Sequence, residues 1–164
     1  MSGATAVAGE RRARVVFALL VLACFAAFLI TQRLKHTPTV VQEFKLTNVL
    51  VPASRGELKE EHIAFKLAEA DEVTVTIESS SGEDVATLVR NLPTPRYKIL
   101  SLRWNGREGT AHSYAVLRRA DGYTTLLPAT RGRFAPAGEY RVRVNLRKQD
   151  HSVRSPRDFT LVAP

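Results

Sequence analysis

The chain has 164 residues, 45% hydrophobic and 24% charged, a composition that fits a folded globular protein and excludes a disordered one. Its formal net charge is +8, and residues 1–36 carry half of this excess, with five Arg or Lys side chains against one Glu. The excess favours anionic partners without requiring them. The only cysteine, Cys24, lies in an apolar run, so the rest of the chain can form no internal disulfide.

The apolar run is Val15–Ile30, sixteen residues without a polar side chain. As a helix it covers about 24 Å, somewhat less than the ~30 Å of a bilayer core. Arg14 and Arg33 flank it, and their long side chains can reach the headgroups on either side. The segment therefore predicts a short cytoplasmic tail (1–14), a transmembrane helix (15–32), a tether (33–41) and an exported domain (42–164).

Two processing alternatives stay open beside an uncleaved anchor. Val21–Cys24 resembles a lipobox, although it has a bulky Leu22 where a smaller residue is usual and apolar residues continue after Cys24. A cleaved signal peptide is the other alternative, but the run ends in Phe28–Gln32 without a small-x-small site. The uncleaved anchor agrees best with the sequence on both sides of the run.

The strongest strand signal of the exported part is Glu72–Glu78, where Val73, Val75 and Ile77 alternate with threonines before a Ser/Gly turn. Similar alternation, separated by Gly, Pro or Asp turns, predicts strands at Phe44 and Leu46, Ile63–Leu67, Val85 and Leu88, Leu100–Trp104, Tyr140–Leu146 and Asp158–Val162. Pro93 and Pro95 are predicted to break the chain. Short strands at this spacing favour an all-β, antiparallel sandwich.

Several of these segments resemble the FlgD-type bacterial Ig-like domain. The resemblance is carried by Ile63–Leu67, Asp71–Ile77, Ser81–Val85, Trp104–Arg107 and Pro136–Tyr140. It implies an Ig-like β-sandwich that serves as a spacer, docking surface or sorting module, with no catalytic residues.

The chain departs from that pattern in three places. Pro52–Glu57 stands where many members have an acidic loop, so a cation-binding role for this loop is unsupported. Asn105 replaces a common Asp, and residues 110–134 are an insertion. Nothing resembles the other regions of the hook-capping protein, so the resemblance implies no flagellar role.

The insertion 110–134 predicts a hairpin, because Asp121-Gly122 lies between two β-prone runs, Ser113–Arg119 and Tyr123–Leu127. Tyrosine and arginine are common anchors at protein interfaces. The hairpin therefore supplies four candidate binding residues: Tyr114, Arg118, Arg119 and Tyr123. The alternative is a surface hairpin that only packs on its own sandwich.

A second candidate surface is a stripe of arginines on one outward strand face, with a further arginine joining it across the sheet. Its residues are Arg141, Arg143, Arg147 and Arg103. Such a stripe could bind anionic cell-envelope polymers or lipid headgroups. The alternative is a solvated face whose charges discourage edge-to-edge pairing. Aromatic residues that stack on bases are not interleaved with it, so we expect no nucleic-acid binding.

Catalytic patterns are weak. His62, His112 and His151 lack metal-ligand spacing, and Ser79–Ser81 has the composition of a turn. We therefore predict no catalytic residue, no metal and no cofactor. The expected function is that of a non-enzymatic, single-pass protein of the bacterial cell membrane that binds another envelope protein. Binding of an anionic envelope polymer is the alternative, and a hydrolase or hydrolase accessory comes third.

Overall fold

The computed structural model describes residues 4–35, 40–118 and 124–163, with helical side chains described for Arg14 and for residues 16–30. The chain divides into two compact units, Met1–Pro38 and Thr39–Pro164. The first holds a helix and the second holds the β-strands.

Helix α1 spans Ala4–Lys35 and extends beyond both ends of the predicted segment 15–32. The earlier start follows from residues 4–13, which are rich in the strong helix formers Ala, Glu and Arg. No Pro or Gly interrupts the chain between Gly9 and Pro38, so the helix also continues past Gln32. None of the described helical segments is long and apolar enough to cross a membrane.

The described residues of the second unit form twelve strands. These are β1 (Val41–Lys45), β2 (Val49–Leu50), β3 (Glu61–Leu67), β4 (Asp71–Ser79), β5 (Asp84–Thr94), β6 (Ile99–Trp104), β7 (Gly109–Thr110), β8 (Tyr114–Arg118), β9 (Thr124–Pro128), β10 (Gly138–Leu146), β11 (His151–Arg154) and β12 (Phe159–Leu161). A single turn of 3-10 helix, Glu57–Lys59, separates β2 from β3.

The strands form two sheets. The five-stranded sheet has the order β1-β3-β6-β9-β8, and the seven-stranded sheet has the order β2-β12-β10-β4-β5-β7 with β11 also beside β10. The expectation of purely antiparallel sheets is wrong, because β6 with β9, β5 with β7 and β2 with β12 pair in parallel. The two strands of each of these pairs are not consecutive in the chain, and no tight hairpin joins them. The longer connections allow the two strands to run in the same direction.

Strands with clear alternation lie where the sequence predicts them, as β3, β4, β6 and β10 show. The predicted break at Pro93 is wrong, because β5 continues through it to Thr94. β7 pairs with β5 only at Ala86 and Thr87. The C-terminal part of β5 is therefore an edge of the seven-stranded sheet, where proline is tolerated. The short strands β2, β7 and β11 carry no pattern of their own and were not predicted.

The inner faces of the two sheets share one core. Ile63, Phe65 and Leu102 of the five-stranded sheet and Val75 and Val142 of the seven-stranded sheet are all fully buried. The Trp104 ring joins the sheets, since its centroid lies 5.7 Å from that of Tyr140 and 5.8 Å from that of Phe159. The whole core cluster lies between Val41 and Leu161, so residues 39–164 contain a complete core and constitute an independently folding unit.

Glu61 places a carboxyl group at one of the inward positions of β3, with a relative exposure of 0%. Its Oε1 accepts a hydrogen bond from the Thr47 N–H at 2.7 Å, while Oε2 has no partner among the described residues. Burial raises the pKa of Glu61 from 4.5 to about 7, against the lowering effect of the Thr47 and Asn48 backbone N–H groups. Part of the Glu61 population in the folded protein is therefore protonated near neutral pH.

Candidate interaction surface at the hairpin edge

The predicted hairpin is present as β8 and β9, and it belongs to the five-stranded sheet. The two strands are antiparallel, with Tyr114 opposite Pro128, Val116 opposite Leu126 and Arg118 opposite Thr124. β9 pairs in parallel with β6, which makes β8 the outermost strand.

Every side chain of β8 is exposed, although three of the five are large and apolar or aromatic. The relative exposure is 45% for Tyr114, 52% for Val116 and 41% for Leu117. Val116 lies on the same face of the sheet as the buried Leu126, which is the face that packs against the core. At β8 this face is no longer covered, so Val116 is exposed. We name the strand Tyr114–Arg118, with its exposed side chains, the edge surface.

The register also fixes which main-chain groups of β8 are open. The Ser113 carbonyl accepts a hydrogen bond from the Ala129 N–H at 2.9 Å. Because bonded and non-bonded pairs alternate in an antiparallel ladder, Ala115 and Leu117 direct their main-chain groups toward β9. Tyr114, Val116 and Arg118 then direct theirs outward, away from the sheet. Pro128 is consistent with this alternation of bonded and non-bonded pairs. It has no N–H to donate, and it lies opposite Tyr114 in a non-bonded pair.

The opposite edge of the same sheet is protected in a way that β8 is not. The pairing of β1 with β3 shifts register between Gln42 and Lys45, and Glu43 within the shift has a φ of 51°. The charged Glu43 and Lys45 side chains are both exposed there. Bulges and charges are the usual devices that keep edges from pairing. β8 has a regular register and only one charge within its span, so its edge can accept a further strand.

The structure separates the candidate residues of the hairpin into two groups. Tyr114 and Arg118 lie on the edge surface, at the first and last positions of β8. Arg119 and Tyr123 lie outside the described residues, as does the predicted Asp121-Gly122 turn. Val116 and Leu117 are the residues that sequence reasoning missed, because alternation does not show that a strand is outermost in its sheet.

The arginines of β10 lie on one outward face as expected, but each is paired with a carboxylate. Arg141 binds Asp158 with Nε to Oδ1 at 2.5 Å and Nη2 to Oδ2 at 2.9 Å. The hydrogen bond from Arg141 lowers the pKa of Asp158, and the same bond raises the pKa of Arg141. Arg147, just beyond β10, binds Glu72 at 2.7 Å.

Arg143 lies at the centre of a larger network. It binds the buried Glu78 and places Nη2 at 2.8 Å from both carboxylate oxygens of Asp84, while Arg154 Nε binds the other Glu78 oxygen at 2.9 Å. The carboxylates therefore compensate the arginine stripe within the fold, which removes the electrostatic argument for polymer binding at this face.

Arg103 does not join this stripe, and the expected placement across the sheet is wrong. It lies on β6 of the five-stranded sheet, whereas Arg141 and Arg143 lie on β10 of the other sheet. Its Nη1 is 3.3 Å from Glu60 Oε2. The error arises because an alternating pattern gives the face of a strand but not the sheet to which the strand belongs.

Three hydrogen-bonded polar side chains on the outer face of the five-stranded sheet include the residue types of a nucleophile and a base. His62 Nε2 lies 2.7 Å from Ser101 Oγ, which lies 3.0 Å from Thr125 Oγ1. Ser101 is only 4% exposed and its hydroxyl is enclosed by these two partners. A nucleophile must reach its substrate, so these hydrogen-bonded side chains are better explained as a cross-strand link between β3, β6 and β9.

The chain matches no known family model, no curated protein and no solved structure. The FlgD-type resemblance therefore stays a prediction that rests on the residues alone.

Proposed function

We propose that this protein is a non-enzymatic, membrane-anchored Ig-like module that binds a segment of another envelope protein along the open edge of β8. The observation that carries the proposal is the edge surface itself, a regular outermost strand with outward main-chain groups and exposed apolar side chains.

The anchor part of the proposal rests on α1. Its described side chains from Val16 to Ile30 are all exposed, and they include Phe17 at 71% and Leu22 at 70%. These residues form an apolar surface all around the helix rather than one stripe, which is typical of a helix surrounded by lipid or protein. Three arginines precede the apolar run, so a cytoplasmic N-terminus and an extracytoplasmic sandwich agree with the distribution of positive charge.

The Ig-like part of the proposal is supported by a local hydrogen bond. The Tyr140 hydroxyl donates to the Pro136 carbonyl, four residues upstream, at 2.5 Å. This arrangement is like the tyrosine corner of immunoglobulin-type sandwiches. Burial raises the pKa of Tyr140, and the nearby Glu108 carboxylate raises it further, so the hydroxyl keeps the proton that it donates.

A partner that fits β8 would add an extended strand to the five-stranded sheet. Main-chain hydrogen bonds from Tyr114, Val116 and Arg118 would provide affinity, and side-chain contacts would provide specificity. Apolar side chains of the partner would cover Val116 on the inner face of the sheet and Leu117 on its outer face. The fitting partner is therefore a β-prone segment that carries apolar residues on both of its faces.

Site-specific photocrosslinking in the native membrane tests this proposal. A photoreactive residue at Val116 should give one discrete crosslinked product. The matched control is Lys45 in β1, an exposed position at the opposite edge of the same sheet, which should give none. Equal crosslinking from both positions, or none from Val116, would contradict binding along β8.

A further inference from the structure

The loop between β5 and β6 displays a tyrosine and two basic side chains at one end of the sandwich. Tyr97 is 61% exposed and has a φ of 58°, a conformation that is uncommon for a residue other than glycine. Its N–H donates to the Leu67 carbonyl at 2.8 Å, which fixes the loop to β3. The Arg96 guanidinium carbon lies 5.3 Å from the centre of the Tyr97 ring. The backbone of the loop is therefore fixed to β3, and the exposed Tyr97 ring lies beside the Arg96 guanidinium.

The charge around this ring is positive. A cavity of about 610 Å³ beside the ring has Lys66 and Lys98 as its charged lining residues, and none of its described lining residues is acidic. Lys66 is paired with Glu43. Arg96 and Lys98 are exposed and form no ion pair with a described carboxylate.

One further basic residue extends this surface. Arg118 is exposed, forms no ion pair with a described carboxylate, and lies opposite Thr124, which lines the same cavity. Glu69 is an exposed carboxylate on the adjoining turn between β3 and β4. On the turn after β10, the exposed Lys148 and Asp150 offset each other. We name Arg96, Tyr97, Lys98 and Arg118 the tether-end surface. Among the described residues, its three cations outnumber Glu69, the adjoining exposed carboxylate that is not offset by a cation.

This end is also where the chain enters the sandwich. The Val40 carbonyl accepts a hydrogen bond from the Ala68 N–H at 2.9 Å, and Val41 lies opposite Leu67, whose carbonyl binds the Tyr97 loop. Residues 36–39 are all that separates Lys35 of α1 from Val40. An extended chain of this length reaches at most about 18 Å. The tether-end surface therefore adjoins the chain segment that leads to α1, which the proposed function places in a bilayer.

We infer that the tether-end surface binds the anionic phosphate headgroups of that bilayer. This inference uses the anchor of the proposed function but not its partner at β8. Arg96, Lys98 and Arg118 would pair with headgroup phosphates, and the Tyr97 ring would enter the interfacial region, where aromatic rings are favoured. These contacts would hold this end of the sandwich at the membrane surface.

Vesicle flotation of residues 39–164 tests this inference without α1, because this unit contains the complete core. The unit should float with phosphatidylglycerol vesicles at low salt and not with phosphatidylcholine vesicles. The double variant Arg96→Glu/Lys98→Glu should lower the affinity by about 25-fold or more, from roughly fivefold for each cation lost. Glu69→Lys should raise it, because it removes the opposing carboxylate.

The matched control is Arg131→Glu/Arg133→Glu, which makes the same change in net charge beside the turn between β4 and β5, at the other end of β4 and β5. This control should keep most of the binding. Equal losses in the two double variants would show attraction by net charge only and overturn the inference, as would an unchanged Arg96→Glu/Lys98→Glu variant.

A second readout follows the ring. Tyr97→Trp should show a blue shift of its fluorescence with anionic vesicles, after subtraction of the signal of the buried Trp104, and no shift would overturn the placement of the ring. Failure of the full-length protein to anchor would refute the proposed anchor instead, and it would leave the flotation result unaffected.

Discussion

Glu61 lies directly opposite Trp104 in the antiparallel register of β3 and β6, so a carboxyl group occupies a core position beside the only tryptophan of the chain. Ile63 and Phe65 follow Glu61 on the same inward face of β3. The carboxyl links β3 to the backbone of the segment between β1 and β2 through Thr47 and Asn48. A link of this kind stabilises the fold differently in its protonated and ionised forms.

Replacement of Glu61 should remove a specific pH dependence of stability. The pKa of Glu61 is about 7 in the folded protein, against 4.5 without burial. The folded state therefore holds a proton that the unfolded state releases between these values. The contribution of Glu61 to the free energy of unfolding should be largest below about pH 4.5 and should fall, by at most about 3 kcal/mol, as the pH rises through 7.

Urea denaturation of residues 39–164 between pH 4.5 and 8 measures this effect. Glu61→Gln should flatten the decline, because an amide does not titrate in this range. Glu139→Gln, at an exposed position of β10, should leave the decline as it is in the wild type. A decline that persists unchanged in Glu61→Gln would assign it to another group.

The two arginines of β10 should contribute unequally to stability. Arg143→Ala leaves Glu78, which is 2% exposed, with Arg154 as its remaining basic partner. Removal of one partner of a buried carboxylate should lower the free energy of unfolding by about 3 kcal/mol. Arg141→Ala breaks an exposed pair on the same face and should cost much less. Similar losses in the two variants, measured by urea denaturation, would show that burial of Glu78 does not set the difference.

The anchor proposal makes a separate prediction for the full-length protein. The protein should stay with the membrane after alkaline carbonate extraction, which releases peripheral proteins. Leu22→Arg should increase release, because an arginine near the centre of the apolar run costs about 3 kcal/mol on insertion. Ala6→Arg, outside the run, is the control and should have no effect. Complete release of the wild-type protein would rule out a spanning helix.

The sequence predicted those parts of the fold that local alternation determines. β4 and β10 follow from Val73 to Ile77 and from Tyr140 to Leu146, because burial of one face requires a period of two residues. β2 and β7 have two residues each, and they are strands only because β12 and β5 lie beside them. Pairings between distant segments leave no local pattern to read.

The candidate site was predictable to a similar degree. The Asp121-Gly122 signal indicated the hairpin, and Tyr114 and Arg118 do lie on it. The outermost position of β8 depends on the parallel pairing of β9 with β6, which periodicity cannot show. The compensation of Arg143 depends likewise on the register of β10 against β4, which brings Glu78 within reach. Both features follow from the order and register of the strands in the sheets, which the residue pattern of a single strand does not show.

The open edge of β8 can be tested through a single main-chain group. Val116→Pro removes an N–H that points away from the sheet, so it should leave the fold intact, since proline is tolerated where the N–H of an edge strand faces solvent. Ala115→Pro removes the neighbouring N–H, which faces β9, and should destabilise the hairpin. The measurement is the size of the complex after mild detergent extraction of the full-length protein, together with the Tm of each variant. The proposed function predicts that Val116→Pro keeps the wild-type Tm and runs as the protein without its partner. A Val116→Pro variant that stays in a complex of the wild-type size would contradict binding along β8.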